Sequence, residues 1–346
     1  MENNMEETIA IAKYPIGLDP EKLFATPKLN YAFIRMNNIC NARCEFCDVW
    51  QTAQIDAHKQ IDMIRLWQEL ETLSPQEVNI HGGEAFLSKD FLAILDCNKN
   101  TPISITTNGT ALSKKIFNRV QNKSHLVRKF YISIDHVDPE KNGESRGIRW
   151  LTNNLYDAME YIKQEIPGSI IIVNHVVTSL NYDTIDKFLL KMAEMSVDGV
   201  NLIPIKDYPL LFLNSAQMKL FMQKINTLLE SKQISRHLFM DANYEIFGRS
   251  EEDYRRAEMG HYNASSKKAC AIPLTTLFID AVTGNVYPCD TTMYRPNPEQ
   301  YIMGNVLESS LHDIWHGDKF SLFRKKMYPV ITCNCIKGCD PANRLR

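Results

Sequence analysis

Residues 29–47 read LNYAFIRMNNICNARCEFC, an apolar run that passes directly into three cysteines at positions 40, 44 and 47. The run 29–36 is short and mixes aliphatic with aromatic residues, as a strand buried on both faces should. Five runs of similar character follow, at 77–81 (EVNIH), 103–107 (ISITT), 129–135 (KFYISID), 169–177 (SIIIVNHVV) and 199–205 (GVNLIPI). Helical spacing fills the intervals: Met63, Leu66, Leu70 and Leu73 share one face, as do Phe221, Ile225 and Leu228. Further helices are predicted near 88–98, 113–121, 152–166 and 181–196. Six strand–helix units in series predict an α/β fold with parallel strands and right-handed crossovers. Curled up, they make a partial (β/α)6 barrel. In such folds the chemistry sits at the C-terminal ends of the strands, where the cysteines fall.

The chain has 346 residues, 44% hydrophobic and 23% charged, enough for one large α/β domain and a smaller one. Residues 1–28 form a lead-in, 29–232 the barrel and 233–269 a polar, irregular linker whose SEEDYRRAE stretch is expected to be solvated. Residues 270–346 form a small Cys-rich domain. It comprises a hairpin (TTLFIDAVTGNVYPCD, turning at Thr283 and Gly284), a helix near 310–327 and a cysteine-rich tail. The net charge of −2 argues against general attraction to nucleic acid or anionic membrane. Short basic runs such as Lys114-Lys115, Lys267-Lys268 and 324–326 read as solvated faces. No apolar run reaches the roughly 18–20 residues of a transmembrane helix. The acidic N-terminus lacks the basic-then-apolar order of a secretory signal, so a cytoplasmic protein is expected.

Nine cysteines in such a chain point to metal rather than to a disulfide framework. Cys40, Cys44 and Cys47, spaced C-x3-C-x2-C, can bind three irons of a cubane and leave the fourth to an outside ligand, whereas Fe–S clusters normally take four cysteines. Zinc is the alternative; it needs a fourth ligand, and only His58 lies in the next stretch. Gly82-Gly83-Glu84 follows the second strand. Paired glycines let backbone approach a ligand closely, and the carboxylate can pair with an ammonium. Asn108-Gly109 ends the third strand, Ser133 and Asp135 end the fourth, and Arg146 follows in an SRG triplet. Each of these alone could be strand-end turn chemistry.

Taken as a set, these motifs resemble the radical SAM superfamily over about residues 29–230. The resemblance implies a [4Fe–4S] cluster on Cys40, Cys44 and Cys47, with S-adenosylmethionine (SAM) bound to its open iron. It places Phe46 near the adenine, and the Gly82-Gly83 backbone and Glu84 on the SAM amino group. It further implies that Asn108, Ser133 and Asp135 face SAM and that Arg146 contacts its carboxylate. The implied opening chemistry is reductive cleavage to methionine and a 5′-deoxyadenosyl radical, which takes hydrogen from substrate. An electron donor such as flavodoxin or ferredoxin is the implied partner.

Cys270, Cys289, Cys333, Cys335 and Cys339, with the G-x4-C spacing from Gly284 to Cys289, resemble the SPASM extension or its shorter twitch form. Five cysteines suffice for one auxiliary [4Fe–4S] cluster and a spare thiol. Cys270 and Cys289 are the surer ligands, the choice among the other three stays open, and zinc is again the alternative. Cys97, on an apparent helix face, reads as a buried small hydrophobe.

An auxiliary cluster could accept an electron from the substrate radical, and Asp290, directly after Cys289, is the candidate base. The alternative is that Asp290 only caps the turn. Relatives that modify peptides often carry a leader-recognition domain ahead of the barrel, whereas 28 residues precede the first strand here. That favours a small molecule such as a sugar, aminocyclitol or nucleoside, oxidised by two electrons. Peptide crosslinking or epimerisation is the second expectation, and a non-catalytic metal-stabilised binding module the third.

Overall fold

The computed structural model describes residues 27–51, 61–148, 154–205, 208–248, 250–258, 272–294 and 297–327. Six parallel strands, β1 (Tyr31–Arg35), β2 (Glu77–His81), β3 (Ile103–Thr107), β4 (Val127–Ser133), β5 (Ile170–Val177) and β6 (Gly199–Pro204), run side by side in chain order. Between and after them lie α1 (Met63–Thr72), α2 (Phe91–Cys97), α3 (Lys114–Asn122), α4 (Pro139–Ser145), α5 (Asn154–Glu165), α6 (Ile185–Glu194), α7 (Ser215–Glu230) and α8 (Glu251–Glu258). The sheet does not close, so the barrel is partial.

Local chemistry sets the helix starts. Asp62 caps α1 by accepting from the Ile64 and Arg65 amides. Asn214 and Gln217 form a capping box on α7. The two sheet faces differ sharply. On the outer face Ile34, Ile80, Ile105, Phe130 and Ile171 form one continuous row across five strands, each at most 1% exposed. Such side chains contribute about 1.5–3 kcal/mol each on burial. The inner face alternates with it and is largely polar. Asn79 lies beside Ser104, which lies beside Lys129; Ser133 lies beside Asn174, which lies beside Asn201.

Two features were not foreseen. The stretch expected as a polar, irregular linker packs against the barrel. Phe239 pairs with Val200 at the β6 edge, and Leu238, Phe239, Met240, Tyr244 and Phe247 are buried. Met240 reaches the inner-face residues Tyr131, Ile170 and Ile172. Among the described residues of this stretch only α8, which carries most of SEEDYRRAE, is largely solvated, and its Tyr254 is buried. The Cys-rich region, in turn, does not hang apart from the barrel. Ile272–Thr275 (α9) leads into β7 (Thr276–Asp280), which pairs in parallel with β1. The chain turns at Gly284 (φ +81°) into β8 (Asn285–Tyr287), followed by α10 (Asp290–Met293) and β9 (Gly304–Asn305). One nine-stranded sheet results, ordered β6-β5-β4-β3-β2-β1-β7-β8-β9. The helix expected near 310–327 is two, α11 (Leu311–His316) and α12 (Asp318–Met327), divided at Gly317. Between them Arg324 stacks on Trp315 and Phe320 and donates to the carbonyls of Pro273 and Trp315.

Candidate active site at the strand C-termini

β1 delivers the cysteine loop to the C-terminal end of the sheet. Cys44 is buried, Cys40 and Cys47 half-buried, and all three are free thiols. Neighbouring turns clamp the loop from two sides. The Gly83 amide donates to the Asn37 carbonyl and the Glu84 amide to the Ile39 carbonyl, both at 2.8 Å. A Cβ on Gly83 would stand 2.3 Å from the Ile39 carbonyl oxygen, and one on Gly82 2.9 Å from that of Asn37. The paired glycines thus let backbone approach backbone. On the other side Gly147 (φ +60°) packs against Arg43, whose amide donates to the Arg146 carbonyl at 2.7 Å.

Glu84 is 1% exposed, and three protein donors occupy its oxygens: the Thr107 hydroxyl (2.6 Å), the Asn108 amide (2.8 Å) and the Phe86 amide (3.2 Å). These three donors anchor the carboxylate. Glu84 fixes Asn108, whose side-chain amide donates to the Asn41 oxygen at 2.9 Å and lies 3.8 Å from the Cys40 sulfur. Asp135 and Arg146 form a buried ion pair at 2.8 Å. Phe46 packs half-buried against the core, and Ser133 sits half-exposed on the inner face.

Burial raises all three thiols, Cys44 to about 11, and Arg146 is the strongest influence opposing this at Cys44. A positive group placed among these sulfurs would relieve the penalty of ionising them. Three thiols carried on one loop can each serve a separate iron, so the donor set fits a three-cysteine cubane.

Within the concave face the structure adds residues that no motif announced. Arg35 and Asp280, paired across β1 and β7, form a bidentate ion pair at 2.8 and 2.7 Å. His81, at the end of β2, packs against Phe33 and Phe278. Its Nε2 has no hydrogen-bond partner among the described residues. Burial lowers this imidazole to about 4, with the Asp290 charge the first influence opposing that shift. Tyr294, about half exposed, feels the charges of Arg35, Asp290 and Cys47. Deeper in, Lys129 pairs with Glu77, which accepts from Tyr31. The available signal was the polar residues at alternating positions near strand ends (Arg35, Asn79, His81, Asp280), facing inward where a packed barrel would carry aliphatics.

Asp290 opens α10 directly after Cys289, which is half-buried with its sulfur 3.8 Å from the Thr292 hydroxyl. Cys270, Cys333, Cys335 and Cys339, like His58, lie outside the described residues. Cys97 is half-buried and donates to the Ile94 carbonyl at 3.4 Å, part of the helix packing.

The radical SAM superfamily profile matches residues 34–192, and the profile of SPASM, an iron–sulfur cluster-binding domain, matches residues 270–340. The chain is 20% identical over 341 residues to the tungsten-containing aldehyde ferredoxin oxidoreductase cofactor-modifying protein of Pyrococcus furiosus, covering 90% of this chain and 89% of that one. It is 28% identical over 186 residues to GTP 3′,8-cyclase of Shewanella denitrificans, spanning 49% of itself and about half (52%) of the cyclase. A stretch of 64 residues is 36% identical to the S-adenosyl-L-methionine-dependent 2-deoxy-scyllo-inosamine dehydrogenase of Niallia circulans, or 18% of this chain and 24% of that one. Among solved structures, Streptococcus suis SuiB bound to its precursor peptide SuiA superposes with a TM-score of 0.63. The match covers 99% of this chain and 81% of SuiB at 17% identity, which makes it a likeness of fold. No helix among the described residues is long and apolar enough to cross a membrane.

Proposed function

We propose, given that the chain belongs to the radical SAM superfamily and carries a C-terminal SPASM domain, that it oxidises a small, hydroxyl-rich molecule by two electrons. The radical SAM domain brings a [4Fe–4S] cluster and SAM, and the SPASM domain brings further iron–sulfur. When bound, these groups supply hydrogen-atom abstraction and a sink for one electron. The rest falls to the chain's own residues. Cys40, Cys44 and Cys47 hold the first cluster. Cys289, with Cys270 and members of the 333–339 group, holds the C-terminal one. Burial of Cys44 and partial burial of Cys40 and Cys47 limit their contact with water.

One observation carries the reading. Asp290 follows the hairpin that β7 joins to β1, and its charge acts on His81 at the end of β2. A substrate bound between His81 and the cysteine loop would have the Asp290 carboxylate near it. Loss of a hydrogen atom, a proton and an electron together make the two-electron oxidation, and Asp290 is the group that takes the proton. The inner face supports a polar substrate: Ser133, Asn174 and Asn201 line it side by side, offering hydroxyls and amides to hydroxyl groups. The short likeness to an aminocyclitol dehydrogenase points the same way. A flavodoxin or ferredoxin is the partner such a reduction calls for.

The test is anaerobic reconstitution and incubation with SAM, dithionite and a panel of sugars, aminocyclitols and nucleosides. The expected result is that one class accelerates 5′-deoxyadenosine formation, transfers its own deuterium and appears two hydrogens lighter. Asp290→Asn should keep SAM cleavage and lose product; unchanged product would remove Asp290 from the mechanism. Turnover of peptides alone would replace the small-molecule reading with peptide modification.

A further inference from the structure

Arg146 is the most constrained cation at the cysteine loop. It is 6% exposed, and its Nη2 lies 2.8 Å from Asp135, whose side chain is fully buried. Asp135 is itself immobilised: its Oδ1 accepts from the Val176 amide at 2.9 Å, and its own amide donates to Asn142 Oδ1 at 2.8 Å. The other arm of the fork, Nη1, lies 4.0 Å from the Cys44 sulfur. The backbone repeats this connection, because the Arg146 carbonyl accepts from the Arg43 amide and stands 4.0 Å from the same sulfur. Gly147 secures the approach, since a Cβ there would meet Arg43 Cβ at 2.7 Å in a backbone conformation that L side chains avoid. One nitrogen of the guanidinium thus faces the Cys44 sulfur and another faces Asp135, while the buried Nε has no hydrogen-bond partner among the described residues.

We infer that Arg146, held by Asp135, is a positioning residue that fixes the charge balance at Cys44 and thereby sets the reduction potential of the cluster on the cysteine loop. This rests on the cluster assignment and is independent of the substrate reading. The physical basis is short. One-electron reduction adds one negative charge to a centre already bearing three thiolates. A buried cation beside it favours the reduced form, and the neighbouring carboxylate offsets part of that effect. Arg146 and Asp135 therefore act with opposite sign. A merely structural pair would not show this.

The experiment compares wild type with Arg146→Met, Arg146→Lys and Asp135→Asn, each reconstituted anaerobically and analysed for iron and sulfide. Midpoint potentials are measured without SAM, following the electron paramagnetic resonance signal that changes when SAM is later added. R146M should lower the reduction equilibrium constant about ten-fold, which is ~59 mV for one electron. R146K should fall between R146M and wild type, and D135N should shift the potential upward. Unchanged SAM-free potentials, with SAM affinity weakened in R146M, would assign Arg146 to the SAM carboxylate and overturn the inference. Should R146M lose its iron, the sign of the D135N shift decides, and a downward or null shift refutes the idea. Loss of iron in all three variants would make the pair a folding element only, which also refutes it.

Discussion

Breaking the Arg35–Asp280 pair should uncouple the C-terminal hairpin from the barrel. Both side chains are nearly inaccessible, at 7% and 1% exposure, and they meet through two bonds of 2.8 and 2.7 Å. Removing one partner from such a buried pair costs about 3–5 kcal/mol, because the other charge is stranded. The two variants should not be equal. In Arg35→Met, Asp280 still accepts from the Val282 amide and the Thr283 hydroxyl. At about 0.5–1.5 kcal/mol for a typical hydrogen bond, these soften the loss to roughly 2–4 kcal/mol. Asp280→Leu leaves the guanidinium without its carboxylate and should sit at the upper end. The double variant R35M/D280L strands no charge and should recover to within about 1–2 kcal/mol of wild type. Urea unfolding under anaerobic conditions measures this, with fluorescence reporting Trp67 beneath the barrel and Trp315 in the C-terminal region. Single losses below about 1 kcal/mol, or a double loss equal to the sum of the singles, would refute the reasoning.

Other expectations concern the loop, the core and pH. Gly83→Ala places a methyl 2.3 Å from the Ile39 carbonyl, so the cysteine loop must shift, and iron retained per chain should fall well below wild type. Gly82→Ala, with its closest contact at 2.9 Å, should lose less. Met240→Ala should destabilise by about 2–3 kcal/mol, because this side chain packs on Tyr131, Ile170 and Ile172; a change under 0.5 kcal/mol would return the segment to the status of a linker. His81 and His175 are both held near 4 by burial. Between pH 6.5 and 4 the unfolded chain binds more protons at these sites, so stability is fully present above about 6.5 and falls as pH drops through 4. Each contributes about 3 kcal/mol over that window. His175→Asn should reduce the slope of stability against pH by about one proton, read from unfolding curves across the range.

The barrel was readable because its strands are short apolar runs closed by glycine or polar residues. EVNIH and ISITT coincide with β2 and β3 to the residue. The cysteine loop was readable because ligand spacing is local. What escaped was long-range or aperiodic. Nothing in TTLFID tells which strand it will pair with, so β7 on β1 could not be foreseen. The 236–247 segment folds as 3₁₀ turns, whose buried residues fit neither the helical nor the strand period. Helix α4 carries no apolar period and was missed, although Asp138 followed by Pro139 marked its start. Glu84 and Arg146 were singled out by their motifs, and the structure shows their protein partners: a Thr107 hydroxyl in one case, Asp135 in the other. A motif names the residue, and only packing shows what it touches.

The strand that carries the cysteine loop is flanked on one side by residues made shortly after it and on the other by residues made far later. Arg35 and Asp280 stand 245 positions apart. At roughly 5–20 residues per second of synthesis, that gap is about 12–50 s. For that interval the loop's three thiols exist on a strand with one bare edge, the condition under which nascent sheets recruit wrong partners. Cluster assembly after residue 280 has emerged would find that edge covered, and a helper that shields the edge of β1 until then would protect the cysteines as well.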